Sequence, residues 1–323
     1  MIVGAGIAGL TAARALHQRG LPCLVLDKSR GVGGRCASRS VDGWPMDHGP
    51  PFLHGDDPDF VAALTHLLPN SARLLPLYGG PGALKTTEIG LPPAYAWAPT
   101  AGNTALPKAL AEALTLRLKV RVTGLAYLAQ GGWQVQFEEG PPLHADALIL
   151  ALPWEQAQAL LMPWPELCPP PSEQPPASEP CMSLMARYAA TPDCPWHLWA
   201  PSEGGPLAVI VNDGRKRAAG CPPQLVLHSR AAWAAMQAEV PTEICIQSML
   251  AAACDSLGAT WPGQPLQVQL QRWRYATRPA NDPEHGPLRR PEAQLALIGD
   301  AWGPGRGLQA AWRSGQLLAA AWP

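Results

Sequence analysis

Residues 1–35, MIVGAGIAGLTAARALHQRGLPCLVLDKSRGVGGR, constrain the fold more than any other part of this chain. Ile2-Val3 end a short apolar run, and Gly4-x-Gly6-x-x-Gly9 follows at once. The pattern predicts a strand, a tight turn and a helix to about Arg19, stopped by Gly20, then a strand Leu24-Val25-Leu26 ending in Asp27. In that context the three glycines form a dinucleotide fingerprint. Gly4 makes the turn, Gly6 lets backbone approach a pyrophosphate, and Gly9 lets helix and strand pack closely. The helix start at Ile7 and Ala8 offers unpaired N–H groups and a positive dipole end to phosphates. Asp27 stands where a carboxylate accepts both ribose hydroxyls, which disfavours a 2′-phosphate.

Directly after the acid comes Lys28-Ser29-Arg30-Gly31-Val32-Gly33-Gly34-Arg35. A second glycine cluster ending in Arg lets the chain pass close to a long diphosphate linker, with Arg35 making a charge-assisted contact. The cluster resembles the GG motif of flavoproteins with two dinucleotide-binding domains, and that resemblance implies FAD.

With 323 residues, of which 47% are hydrophobic and 15% charged, the chain can bury a sizeable core. A net charge of −1 provides no electrostatic basis for binding nucleic acid or an anionic membrane. No apolar run is long enough to span a bilayer and no signal-peptide pattern is present, so a cytoplasmic location is expected. The chain starts almost inside its first strand, which points to a few residues lost or misassigned at the N-terminus. The eight cysteines are scattered without CxxC pairs, which suits reduced structural thiols and offers no metal site.

Further along, Trp44-Pro45-Met46-Asp47-His48-Gly49 returns polar residues among Gly, Pro and aromatics, suited either to facing a flavin or to capping a turn. Residues 59–68 read as a short helix and 69–103 as loops and short strands. Asn103 or Thr104 should cap a helix running to about Leu116, with Pro107 in its first turn. Val120–Leu125 and Trp133–Phe137 read as a hairpin, and Ala147–Leu152 as a buried parallel strand stopped by Pro153. The proline-rich stretch 163–180 reads as a stiff extended linker. Beyond it, strands at 182–190, 207–212, 225–229 and 268–275, with helices at 231–238 and 242–257, suggest an antiparallel sheet. Leu295–Ile298 then runs into Gly299-Asp300 and a helix to Ala321. Asp300 can accept a ribityl hydroxyl, while Gly307 and Leu308 present N–H groups to a flavin pyrimidine edge.

The fold class is therefore α/β: a Rossmann-like FAD-binding domain (1–70, 100–165 and 280–323) with an inserted substrate domain of antiparallel sheet plus helices (71–99 and 166–279). Flavin amine-oxidase relatives end the 147–152 strand in A-x-P, and an aliphatic residue such as Val122 meets the adenine end through its backbone. Aromatic-ring hydroxylases carry Asp-Gly after that strand, where this chain has Ala151-Leu152-Pro153.

Over nearly its whole length the chain resembles the renalase-like, mostly bacterial branch of FAD-dependent oxidoreductases in the flavin amine oxidase superfamily. The carriers are the first fingerprint, Lys28–Arg35, Asp47-His48-Gly49, Arg272-Trp273-Arg274-Tyr275-Ala276 and Gly299-Asp300-Ala301. The chain departs from the family at Pro50-Pro51-Phe52-Leu53, where Ala-Gln-Tyr-Phe is usual. It departs again at Asn212-Asp213-Gly214-Arg215-Lys216-Arg217, where Asn-Ser-x-Lys-Pro-Gly-Arg is usual. The resemblance implies non-covalent FAD and oxidation of a dihydropyridine, namely an isomer of NAD(P)H, by hydride transfer to flavin with O₂ as final acceptor. It suggests Asn212, His228, Tyr275 and Trp302 as the substrate face, with Asn212 bonding a carboxamide and the two aromatics stacking on a nicotinamide. Core packing is the competing reading for His228, Trp273 and Tyr275. Two alternatives stand beside this. Classical amine oxidases place a lysine beside the flavin from the later substrate domain, and no Lys follows Lys216 here. A non-catalytic flavin-binding protein is the other.

Overall fold

The computed structural model describes residues 1–69, 71–74, 78–79, 96–190, 194–279 and 284–323. Most of the loop-and-strand expectation for 69–103 lies outside the described residues. The chain divides into two compact units, one of Met1–Cys36, Leu106–Ser178 and Arg278–Pro323, the other of Ala37–Ala105 and Glu179–Thr277.

The first unit is the Rossmann-like one. Its sheet runs Leu288–Arg290, Leu295–Leu297, Leu148–Leu150, Ile2–Val3, Leu24–Asp27, Thr115–Leu118, parallel except at the Leu288–Arg290 edge. These central strands are apolar throughout because both of their faces are covered. Helix Ile7–Gln18 follows the first strand and closes in a Schellman turn. Gly20, at φ +78°, donates to His17, and Leu21 donates to Leu16. The last helix, Gly307–Ala321, packs on it at Gly315, where a Cβ would lie 2.6 Å from the Ala8 carbonyl oxygen. A small antiparallel sheet, Val122–Tyr127, Trp133–Phe137 and Leu143–Ala145, completes the unit.

The second unit is an antiparallel sheet ordered Gln267–Thr277, Glu179–Arg187, Gln224–Ser229, Leu207–Asn212, Leu198–Trp199, with Tyr78–Gly79 parallel at the far edge. One face packs on helix Thr242–Leu257 through Leu184, Leu225, Leu227, Cys245 and Met249. The other packs on Met46, Phe52 and Ala98 through Met185, Val211 and Val226.

Three expectations change. The helix after Asn103 is Ala105–Ala111 rather than reaching Leu116, and Ala113 at φ +64° marks its end. The residues beyond it are captured as a strand by pairing with Leu24–Asp27. The stretch 163–180 is not an extended linker. It holds short 3₁₀ turns at Pro165–Leu167 and Pro171–Glu173 and buries Leu167 in the first unit's core, and Arg290 donates to the Cys168 carbonyl. Glu155 accepts from the Ser178 backbone at 2.6 Å and fastens its end. Finally, residues 37–69 group with the second unit rather than with the nucleotide-binding one, because strands Ser38–Val41 and Trp44–Asp47 pair with each other and pack beneath the antiparallel sheet.

Candidate active site

The cradle in the first unit is built by backbone. A Cβ on Gly4, at φ +112°, would meet the Ala151 carbonyl oxygen at 2.3 Å, and one on Gly9 would meet the Gly4 oxygen at 2.0 Å. Both glycines are needed by the turn itself. Gly6 differs, since a Cβ there meets nothing within 4 Å and its backbone is extended, with φ −80° and ψ −178°. Its bareness leaves room for something outside the chain. Gly33 bridges to Gly6, and Gly34 lies with its Cβ position 3.5 Å from the Gly6 Cα, so the two glycine clusters meet. Helix Ile7–Gln18 begins without a side-chain cap or a first-turn acid. Its N–H end is free for an anion, and the donor set fits a dinucleotide pyrophosphate.

Asp27 ends its strand with one carboxylate oxygen accepting from Ala5 N at 2.8 Å and the other from Ser29 N at 2.7 Å. It therefore braces the turn, and each oxygen keeps a lone pair for a ribose hydroxyl. Lys28 is exposed and lines a cleft of about 380 Å³ with Arg117, Lys119, Arg121 and Glu138. Val122 opens the small sheet, paired with Phe137 across a bulge. Arg35 and Asp300, both assigned to the cofactor, form a bidentate ion pair at 2.8 and 2.5 Å. Burial works against the Arg35 charge, but Asp300 outweighs it and raises the pKa. The pair joins the second glycine cluster to the C-terminal segment. Gly299 donates to Ser314 Oγ at 3.0 Å, and Gly307, at φ +57°, opens the last helix with Leu308 beside it. Trp302 is 3% exposed and packs edge-on against Trp154 at 5.7 Å. It is a core residue of the first unit rather than a free stacking plane.

In the second unit the structure corrects Asp47. Its Oδ1 accepts from Ser38 Oγ at 2.6 Å and Asn103 N at 2.8 Å, and its Oδ2 accepts from Lys216 at 2.9 Å and Arg217 at 2.8 Å. A carboxylate offers about four acceptor positions, so none is left for a cofactor. Asp213 completes a buried quartet, 2.7 Å from Lys216 and 2.8 Å from Arg217. Lys216 Nζ also donates to the Pro51 carbonyl at 2.7 Å and sits over the Phe52 ring. Burial opposes the Asp47 charge, yet Lys216, Arg217, Ser38 and Asn103 together hold its pKa well below the usual carboxylate range. The Arg217 guanidinium is likewise raised by Asp213 and Asp47 against the pull of burial. Sequence reasoning passed over this quartet and read 212–217 only as a degraded family stretch. The available signal was Asp213-x-x-Lys216-Arg217, a spacing that brings both cations back to one acid.

His48, next to Asp47, stacks on Trp273 with ring centroids 5.2 Å apart and an interplanar angle of 19°. The Trp273 indole donates to the His48 carbonyl at 2.9 Å, and Gly49 follows half-buried. His228 lies opposite Ser183 in the sheet, with Nδ1 3.0 Å from Ser183 Oγ. Burial, above all, lowers both histidines to about 4, so both imidazoles are neutral near pH 7. Asn212 does not join them. It pairs with Leu225, whose side chain faces the helix-packed side, while His228 follows Leu227 and shares the side of Val226. Strand alternation thus puts Asn212 and His228 on opposite faces. Asn212 instead bonds locally to the Cys194 carbonyl at 3.5 Å. Trp273 and Tyr275 share one face of strand Gln267–Thr277, and Arg274 is exposed on the other. Arg272, also on that other face, donates to the Gln237 and Ala238 carbonyls and anchors the helical region.

Comparison with known proteins identifies the fold and the family. Residues 2–67 match the family model of NAD(P)-binding Rossmann-like domains, and residues 89–321 match that of flavin containing amine oxidoreductases. A zeta-carotene-forming phytoene desaturase from Myxococcus xanthus is 46% identical over 53 residues, which are 16% of this chain and 10% of that protein. A putative protoporphyrinogen oxidase from Exiguobacterium sp. 255-15 superposes with a TM-score of 0.74 at 14% identity, covering 99% of this chain and 97% of the other. Cyclohexylamine oxidase from Brevibacterium oxydans IH-35A gives 0.73 at 14% identity with the same coverage. At such identities these two structures establish the fold. Among the described residues no helix is long and apolar enough to cross a membrane.

Proposed function

Because the chain belongs to the family of flavin containing amine oxidoreductases, an FAD-dependent group, we propose that it is an oxidase of renalase type. Its substrate would be a dihydropyridine such as an isomer of NAD(P)H, with O₂ as final electron acceptor. Bound flavin supplies the hydride-accepting chemistry. The chain's contribution is to hold and orient. Gly6, Gly33, Gly34 and the open end of helix Ile7–Gln18 cradle the pyrophosphate, Asp27 meets the ribose, and the Arg35–Asp300 pair braces the linker side. The second unit selects the substrate through His48, His228, Trp273 and Tyr275.

The observation that carries this reading is the state of Lys216. It is the last lysine in the chain, and its ammonium spends its three donors on Asp47, Asp213 and the Pro51 carbonyl. Among the described residues of the second unit no other lysine is available to serve a classical amine-oxidase role. A flat ring face beside neutral imidazoles suits a planar, uncharged dihydropyridine ring. The second reading, oxidation of a small amine, draws on the family match over 89–321. Anaerobic mixing of the flavoprotein with NAD(P)H isomers and with amines separates the two. Fast loss of flavin absorbance with the dihydropyridines is the expected result, and loss with an amine alone would overturn it.

A further inference from the structure

Among the described residues, two imidazole nitrogens of the second unit have no hydrogen-bond partner although their residues are more than nine-tenths buried: His48 Nδ1 and His228 Nε2. An orphaned polar atom at such depth is destabilising unless a ligand or water completes it. They belong to one neighbourhood. His228, Ser183 and Gln271 form a single cross-strand row, with Ser183 opposite both of the others, and Cys181 and Trp273 form the next row. His48 is stacked on that Trp273.

Arg39 reaches the same rows. Its guanidinium is held by the Gln271 side-chain oxygen at 3.1 Å and, more weakly, by that of Gln269 at 3.4 Å. Both partners are neutral amides, and no carboxylate within 4.0 Å pairs with Arg39 among the described residues. The nearby Asp47–Lys216–Arg217–Asp213 quartet carries two charges of each sign and has no net charge to offset Arg39. Arg39 is thus an uncompensated positive charge beside two neutral imidazoles and an indole face. It stands close enough to His48 to disfavour its protonation, second only to burial.

We propose that Arg39, His48 and His228 form a reader for a carboxylate carried by a planar ring, so that the substrate class is a ring acid in preference to its amide or to a cationic amine. The proposal rests on the dihydropyridine reading above but replaces its carboxamide example, an isomer of NAD(P)H, with a ring acid. With the Ser183 hydroxyl donating to His228 Nδ1, Nε2–H becomes a donor toward the carboxylate. Arg39 supplies the charge-assisted bond, which is about twice as strong as one between neutral groups. A cationic amine at the same place would meet a like charge. This set stands in place of Asn212, to which the resemblance gave a carboxamide contact and which lies on the sheet's other face.

The test uses the flavin-loaded full chain and needs no turnover. Nicotinate and nicotinamide, flat rings differing in carboxylate against amide, are titrated while the flavin absorbance is followed. Nicotinate is expected to bind at least tenfold more tightly. Arg39→Gln should abolish that preference without loosening flavin, and Arg39→Lys should keep part of it. Equal affinities in the native protein would overturn the proposal, as would an Arg39→Gln variant that retains the preference. A third overturning result is an Arg39→Gln effect confined to flavin affinity, which would make Arg39 a cofactor contact. Reaction with dihydropyridine acids and amides is measured separately. Failure of both to reduce flavin while nicotinate still binds selectively removes the dihydropyridine reading and leaves the carboxylate reader standing.

Discussion

Replacing Lys216 with Met tests whether the quartet beneath the second unit's sheet acts as one electrostatic unit. The Lys216 and Asp213 side chains are wholly buried and that of Asp47 is 1% exposed. The native cluster balances two cations against two carboxylates. Met keeps most of the stem volume, so the cavity cost is small. Two carboxylates then share the single Arg217 guanidinium, and a buried charge is left uncompensated. Breaking a buried pair in this way costs about 3–5 kcal/mol. Adding Asp213→Asn restores neutrality by leaving only the Asp47–Arg217 pair at 2.8 Å. The double variant is therefore expected to recover part of the loss, with a favourable coupling of about 0.5–3 kcal/mol. The assay is urea unfolding at fixed saturating FAD, followed by fluorescence of the 13 tryptophans, with both single variants and the double completing the cycle. A Lys216→Met variant within 1 kcal/mol or so of the native protein would refute the reasoning, since it lies well under the range for a broken buried pair. Strict additivity in the cycle would refute it equally.

Gly6→Ala should fold, since a Cβ there meets nothing within 4 Å, yet purify with little yellow flavin, its affinity reduced at least about tenfold by the methyl in the pyrophosphate path. Gly9→Ala should lose flavin and stability together because its Cβ would lie 2.0 Å from the Gly4 oxygen, and thermal unfolding distinguishes the two. His48, His197 and His228 each have a pKa lowered from 6.5 to about 4, burial being the largest cause. The unfolded chain therefore binds more protons, so stability should fall as pH drops from about 6.5 toward 4, and a midpoint that stays flat over that window contradicts it. Asp47, held low by its cations, adds its own loss only below about pH 4, and Asp47→Asn should remove that limb at the price of a less stable protein at pH 7.

The sequence alone determined the nucleotide-binding unit. Its chemistry is local: Gly4, Gly6 and Gly9 act through backbone geometry within one turn, and Asp27 closes back on that turn across only 22 residues. Strand Leu148–Leu150 and strand Leu295–Leu297 were legible because a strand covered on both faces is apolar at every position. The second unit's strands were also legible in outline, but not the side chains they bring together. Asn212 and His228 look alike as polar residues near strand ends. Only the pairings Asn212↔Leu225 and Ser183↔His228 show that they face opposite ways, because a shift of one residue in register exchanges the two faces of a sheet. Asp47 reads as a flavin ligand until tertiary structure brings Lys216 and Arg217 to it across about 170 residues, and by then its lone pairs are used. The opening glycines mark a dinucleotide site by backbone geometry alone. Choice of substrate depends on charges that meet only after the sheet has formed, and no spacing along the chain encodes which of them remain uncompensated.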